Sequence, residues 1–133
     1  MRDKAILCVD DEKIILDSLK SQIKRKFGNR YACEIATCAD EAMEIIEELN
    51  DEGVSIIVIV SDWLMPGVKG DEFLVNVHKR FPSIVKLMIT GHADSAAIEN
   101  AKINANLYEC INKPWEEEDL YRIIETALEE NKK

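Results

Sequence analysis

A chain of 133 residues is long enough for one domain with a sizeable core and too short for two. Apolar residues make up 47% and charged residues 32%, an ordinary globular balance that argues against intrinsic disorder. With 17 basic against 26 acidic residues the net charge is −9, so direct nucleic-acid binding and attraction to anionic lipid are not expected.

The first apolar run, Ala5–Val9, reads as a strand. Ile15, Leu19, Ile23 and Phe27 follow at helical spacing, stopped by Gly28 and Asn29. A weaker strand, Tyr31–Ala36, precedes a second apolar stripe of Ala42, Met43, Ile45, Ile46 and Leu49. Val54–Ser61 is the strongest strand, its Ile56–Val60 stretch continuously apolar as a strand covered on both faces should be. Phe73, Leu74, Val77 and Phe81 mark a third helix closed by Pro82, and Val85–Thr90 a fourth strand. A short helix near Ser95–Asn104, a strand Leu107–Ile111 and a helix carrying Leu120, Ile123, Ile124, Ala127 and Leu128 complete the alternation. Five strands each followed by a helix predict an α/β domain: a parallel sheet, right-handed crossovers, helices on both faces.

No apolar run approaches the ~20 residues of a membrane span, and the start does not resemble a signal peptide. Cys8, Cys33, Cys38 and Cys110 form no C-x-x-C pair and have no local histidine to complete a zinc set. Buried free thiols in a reducing cytoplasm are the expectation.

The polar residues at strand ends carry the chemistry. Asp10 and Asp11 follow the first strand, Asp62 the third; Thr90 ends the fourth and Lys113 follows the fifth. In an open parallel sheet these carboxyl ends share one edge, so the residues converge at the topological switch point. Two like charges ~4 Å apart cost about 4 kcal/mol at an effective dielectric of about 20, so such carboxylates need protons or a cation. Hard oxygen ligands without His or Cys favour Mg2+. Lys113 offers a compact positive charge and Thr90 a hydroxyl donor for the oxygens of a phosphoryl group. Asp62, alone at the tip of the central strand, is the best candidate for a carboxylate nucleophile. Read singly, Asp10 and Asp11 could be helix N-caps, Thr90 a strand end and Lys113 a solvated surface charge.

The segments Ile6-Leu7-Cys8-Val9-Asp10-Asp11-Glu12, Val60-Ser61-Asp62-Trp63-Leu64-Met65-Pro66-Gly67, Met88-Ile89-Thr90-Gly91 and Asn112-Lys113-Pro114-Trp115 together resemble the signature segments of bacterial response-regulator receiver domains. The match covers about residues 4–129 of what is expected to be a single domain over 1–133. The resemblance implies the flavodoxin-like receiver fold, a doubly wound five-stranded sheet in the order 2-1-3-4-5. It implies a phosphorylation-dependent signalling switch that is not an enzyme, taking its phosphoryl group on Asp62 from a sensor histidine kinase or phosphotransfer protein. Mg2+ would be held by Asp11, Asp62 and the Leu64 carbonyl, with Asp10 acting mainly through water; Thr90 and Lys113 would hold the phosphoryl oxygens. A cis Lys113–Pro114 bond is implied, as is a homodimer face formed by the fourth helix, fifth strand and fifth helix. The location is expected to be cytoplasmic, with no membrane partner and an output not specified by the sequence.

Other features stand beside this reading. His92 and Leu64 occupy positions that influence phosphoryl hydrolysis in such domains, and an apolar Leu64 cannot orient water. His78 reads as a surface residue; Trp63 and Trp115 read as packing residues. Cys110 stands where most members carry Tyr or Phe, three residues before the lysine, and Tyr108 is the nearest aromatic. A dehalogenase-type phosphatase would need a second acid at Leu64 and a cap domain. A flavin carrier would need a Gly/Ser/Thr-rich first loop where Asp10-Asp11-Glu12 stands. A degenerate receiver would lack the acidic set.

Overall fold

The computed structural model describes residues 3–91 and 95–132. Its elements alternate as expected: β1 (Lys4–Val9), α1 (Lys13–Phe27), β2 (Ala32–Ala36), α2 (Ala39–Asp51), β3 (Ser55–Ser61), α3 (Gly70–Arg80), β4 (Val85–Thr90), α4 (Ser95–Asn104), β5 (Glu109–Asn112) and α5 (Glu117–Asn131). The strands pair in parallel in the order β2-β1-β3-β4-β5, the flavodoxin-like receiver arrangement. Only β5 departs visibly from the sequence reading. It starts two residues later than Leu107, which leaves Tyr108 outside the strand and 38% exposed.

Each strand supplies apolar side chains to two separate cores, because a parallel sheet with covered faces has no wet side. Ile6, Cys8, Val58, Val60, Leu87 and Ile89 pack with Leu16, Leu19, Ile23 and Phe27 of α1 and with Leu120, Ile124 and Ala127 of α5. Ala5, Leu7, Val9, Ile59 and Met88 pack with Ala42 and Ile46 of α2, Phe73, Leu74 and Val77 of α3 and Ala101 of α4. A register shift between Ala5 and Ile6, where β1 passes from Ile56 to Val58, lets Ile57 and Val58 both join the α1–α5 side. On α1 the buried stripe runs through Leu16 rather than Ile15, which is only half-buried.

All four cysteines are free: Cys8 and Cys33 are buried, Cys38 and Cys110 half-buried. Among the described residues no helix is long and apolar enough to cross a membrane. His78, expected at the surface, is instead half-buried on α3; its Nδ1 is enclosed and finds no hydrogen-bond partner among the described residues. Burial, then the charge of Lys86, holds its pKa below the usual histidine value.

Candidate phosphoacceptor site

Strand pairing at the carboxyl edge brings the predicted residues together. β1 lies between β2 and β3, and hydrogen bonds continue one residue past the strands: Asp10 N–H donates to Ala36 O at 3.1 Å, and Asp62 N–H to Val9 O at 2.9 Å. Asp10 and Asp62 therefore sit side by side where the strand order reverses, both buried. On the other side Thr90, at the end of β4, is paired with Asn112 and its carbonyl accepts the Lys113 N–H at 3.3 Å. Thr90 is 3% exposed.

Lys113 reaches across this edge. Its Nζ lies 2.7 Å from Asp10 Oδ2, 3.3 Å from Asp62 Oδ2 and 3.7 Å from Glu12 Oε1. The Lys113–Pro114 bond is cis, as the resemblance implied. Burial alone would lower the Lys113 pKa, but the hydrogen bond to Asp10 and the fields of Asp62 and Asp10 outweigh it and raise it. Asp10 is held above the ordinary carboxylate range: burial leads, Asp62 adds to it, and Lys113 and the Glu12 N–H only partly oppose them. One ammonium does not offset this many carboxylates, so the site is short of positive charge.

Carboxylate oxygens of Asp10, Asp11, Glu12 and Asp62 all lie within 4.8 Å of one another. Two of these residues, Asp11 and Glu12, are exposed, so a partly hydrated ion could enter. An all-oxygen donor set with an uncompensated negative charge fits a hard divalent cation such as Mg2+, which keeps some of its waters. Glu12 was not among the residues singled out from the sequence. It is the N-cap residue of α1 with no side-chain cap, leaving its carboxylate free to face the cluster. Asp10 is not the N-cap of α1: its Oδ1 accepts the N–H of the N-cap residue Glu12 at 2.9 Å, an Asx-type turn just before the helix.

Asp62 is fixed from the loop that follows it. The Trp63 N–H donates to Asp62 Oδ1 at 2.8 Å, and the buried Ser61 hydroxyl donates to Asp62 O at 2.9 Å. Leu64, the expected carbonyl ligand, lies two residues on, with 44% of its surface exposed. Gly67, in the Met65-Pro66-Gly67 turn, has φ 79°, a region open to glycine at little cost. Gly70 opens α3, and its N–H donates to Trp63 O at 2.8 Å. A Cβ there would stand 2.0 Å from Asp62 O and 2.7 Å from Trp63 Cα, so any other residue would push α3 away from the end of β3. Sequence reasoning passed over Gly70; a glycine at a helix start eight residues after Asp62 was the signal.

Trp63 and Trp115 do more than pack. The Trp63 indole N–H donates to Asp71 Oδ1 at 3.0 Å, and the Trp115 indole N–H to Gln22 Oε1 on α1 at 2.8 Å. Cys110 registers with Met88 and packs toward the core shared by α2, α3 and α4, with no aromatic ring at its position. His92 lies outside the described residues.

A family model described as response regulator receiver domain matches residues 6–125. The hydrogenase transcriptional regulatory protein HoxA of Cupriavidus necator is 36% identical over 131 residues, which is 97% of this chain. The chain spans only 25% of that relative's length. A CheY-like response regulator receiver domain protein from Methanospirillum hungatei superposes with a TM-score of 0.83 at 32% identity, covering 99% of this chain and 98% of that one. The beryllofluoride-activated NtrC4 receiver domain dimer superposes with a TM-score of 0.81 at 30% identity, over 97% of this chain and 98% of that one.

Proposed function

The chain belongs to the response regulator receiver domain family, and from that premise we propose that Asp62 accepts a phosphoryl group and switches partner binding. The observation that carries this reading is the convergence of Asp62, Asp10 and Lys113 within salt-bridge distance at the switch point of the sheet. In the reaction an Asp62 carboxylate oxygen attacks the phosphorus of a phosphohistidine. The P–O bond forms, the P–N bond breaks, and the departing imidazole nitrogen keeps the electron pair and takes up a proton.

This chain's own groups act as follows. The Trp63 N–H holds Oδ1, which directs the other oxygen of Asp62 toward the donor. Lys113, already poised among the carboxylates, shifts its hydrogen bonds to a phosphoryl oxygen, and the Thr90 hydroxyl serves another. Asp11, Asp62 and the Leu64 carbonyl, with Asp10 and Glu12 nearby, would hold Mg2+. When bound, Mg2+ supplies positive charge to the transferring group's oxygens.

The same reading treats residues 1–133 as one receiver domain in the cytoplasm, a phosphoacceptor rather than an enzyme that turns over a substrate. Its donor would be a sensor kinase or a phosphotransfer protein. The NtrC4 relative forms a receiver dimer, and this chain exposes 69% of Ile103 on α4 as well as Tyr108 ahead of β5. These residues support an α4–β5–α5 homodimer face. A phosphatase of dehalogenase type is disfavoured by Leu64 where its second acid belongs, and a flavin carrier by the acidic first loop.

Incubation with acetyl phosphate and Mg2+ should raise the intact mass by one phosphoryl group. Asp62→Asn should abolish the gain, and equal labelling of that variant would overturn the assignment.

A further inference from the structure

Asp71, the second residue of α3, is 9% exposed, and among the described residues it belongs to no ion pair. Two neutral donors from two other elements meet its carboxylate. Oδ1 accepts the Trp63 indole N–H at 3.0 Å, and Oδ2 accepts the Asn100 side-chain amide of α4 at 2.8 Å. Asn100 Oδ1 in turn accepts the Asn104 amide, one turn further along α4, at 2.7 Å. At the opposite end Trp63 donates its backbone N–H to Asp62 Oδ1 at 2.8 Å. Hydrogen bonds made by the backbone and the indole of Trp63, and continued through Asp71, thus link Asp62 to the second half of α4.

A carboxylate that served only the start of α3 would turn toward that helix's own N–H groups. Both oxygens of Asp71 instead reach other elements. Nor does burial favour it: an apolar residue of similar volume would fill the position without desolvating a charge. Cys110 sharpens the point, since a thiol packed beside Met88 is too small to replace an aromatic ring as a route from Thr90 to α4.

We infer that Asp71 is a positioning residue that couples the state of Asp62 to the placement of α4, through Trp63 on one side and Asn100 on the other. The inference rests on Asp62 being the phosphoacceptor. Phosphorylation of Asp62 through its other oxygen turns Oδ1 into the neutral carbonyl oxygen of an acyl phosphate, so the charge-assisted hydrogen bond from the Trp63 N–H becomes an ordinary one. The 63–69 segment relaxes, the indole shifts against Asp71, and Asn100 follows with its helix. The coupling is reciprocal: fixing α4 elsewhere alters the state of Asp62.

Backbone and side-chain NMR of the full chain, with and without Mg2+ and beryllofluoride, tests this. In the wild type the Trp63 indole resonance and the amides of 96–104 should move together, while the Trp115 indole, tied to Gln22, serves as the reference. Asn100→Ala, at a half-buried helix position, should leave acetyl-phosphate labelling of Asp62 intact. It should also leave the Trp63 indole response in place, and reduce the α4 response by about half or more. Asp71→Asn should displace the Trp63 indole proton in the free protein without moving that of Trp115. An α4 response in Asn100→Ala equal to the wild type, or an unmoved Trp63 indole in Asp71→Asn, would overturn the coupling. Failure of the wild type to label would remove the phosphoacceptor reading itself, and the mass measurement separates that outcome from the others.

Discussion

Lys113 and Lys86 are both withdrawn from solvent against the same sheet, one at its carboxyl edge and the other near its amino edge. Lys113 keeps 15% of its side chain exposed and stands 2.7 Å from Asp10 and 3.3 Å from Asp62. Its pKa is raised, because those carboxylates outweigh the cost of burial. Lys86 is 1% exposed, donates to the Ile84 carbonyl at 2.5 Å, and belongs to no ion pair among the described residues. Burial pushes its pKa down to about 8. The same side chain therefore holds its proton firmly at one edge and loosely at the other. Burial alone predicts the behaviour of Lys86; the acids gathered at the switch point reverse it for Lys113. An edge whose acids outweigh one buried ammonium in this way has negative charge to spare for a divalent cation.

Removing Lys113 should have the largest effect. Lys113→Met should slow phosphoryl uptake by roughly a hundredfold or more. Without Mg2+ it should also destabilise the fold by about 3 kcal/mol, because buried carboxylates lose their partner. Denaturant unfolding with and without Mg2+ checks this, and Mg2+ should restore part of the loss. An unchanged labelling rate would place Lys113 outside the chemistry.

Lys86→Met should do the opposite, stabilising the protein at pH 7 by about 2 kcal/mol, since a desolvated charge is replaced by an apolar chain of similar length. Phosphoryl uptake should be unaffected. The folded-state pKa of Lys86, about 8, lies below the ordinary lysine value of 10.5. Between those values the unfolded chain binds more protons, so wild-type stability from this group rises with pH. The increment should be missing from Lys86→Met in unfolding curves across that window. Parallel curves for the two proteins would show that Lys86 carries no such penalty.

His78 should respond least. Burial is the larger cause of its lowered pKa and Lys86 the smaller. Imidazole titration by NMR in Lys86→Met should therefore move upward while staying below the ordinary histidine value. A titration identical to the wild type would mean that the two groups do not sense each other.

The contrast between the two lysines also marks what could be read from the sequence. The apolar stripes gave the elements, and the strand-end positions of Asp10, Asp62, Thr90 and Lys113 gave the edge where they meet, because parallel strands in one sheet all end on the same side. Lys86 was legible in principle: on a β4 covered from both sides, even a lysine must be buried. Its position inside an apolar run drew attention to the strand and away from the charge. His78 was misplaced because its neighbours Lys79 and Arg80 suggested an exposed turn of α3, whereas the turn also faces Lys86. Glu12, Gly70 and Asp71 depend on local geometry that periodicity does not encode. They require the N-cap of α1, the contact distance between α3 and the Asp62 backbone, and the packing of α3 beside α4.

The central claim is that one carboxylate of this cluster, Asp62, carries the phosphoryl group. Reductive trapping tests it most directly: acetyl phosphate and Mg2+, then borohydride, which converts an aspartyl phosphate to homoserine, followed by peptide mass mapping. Homoserine should appear at position 62, with Asp10 and Asp11 unaltered. Homoserine at position 10 or 11, or none at 62 in a protein whose intact mass has risen, would contradict the account.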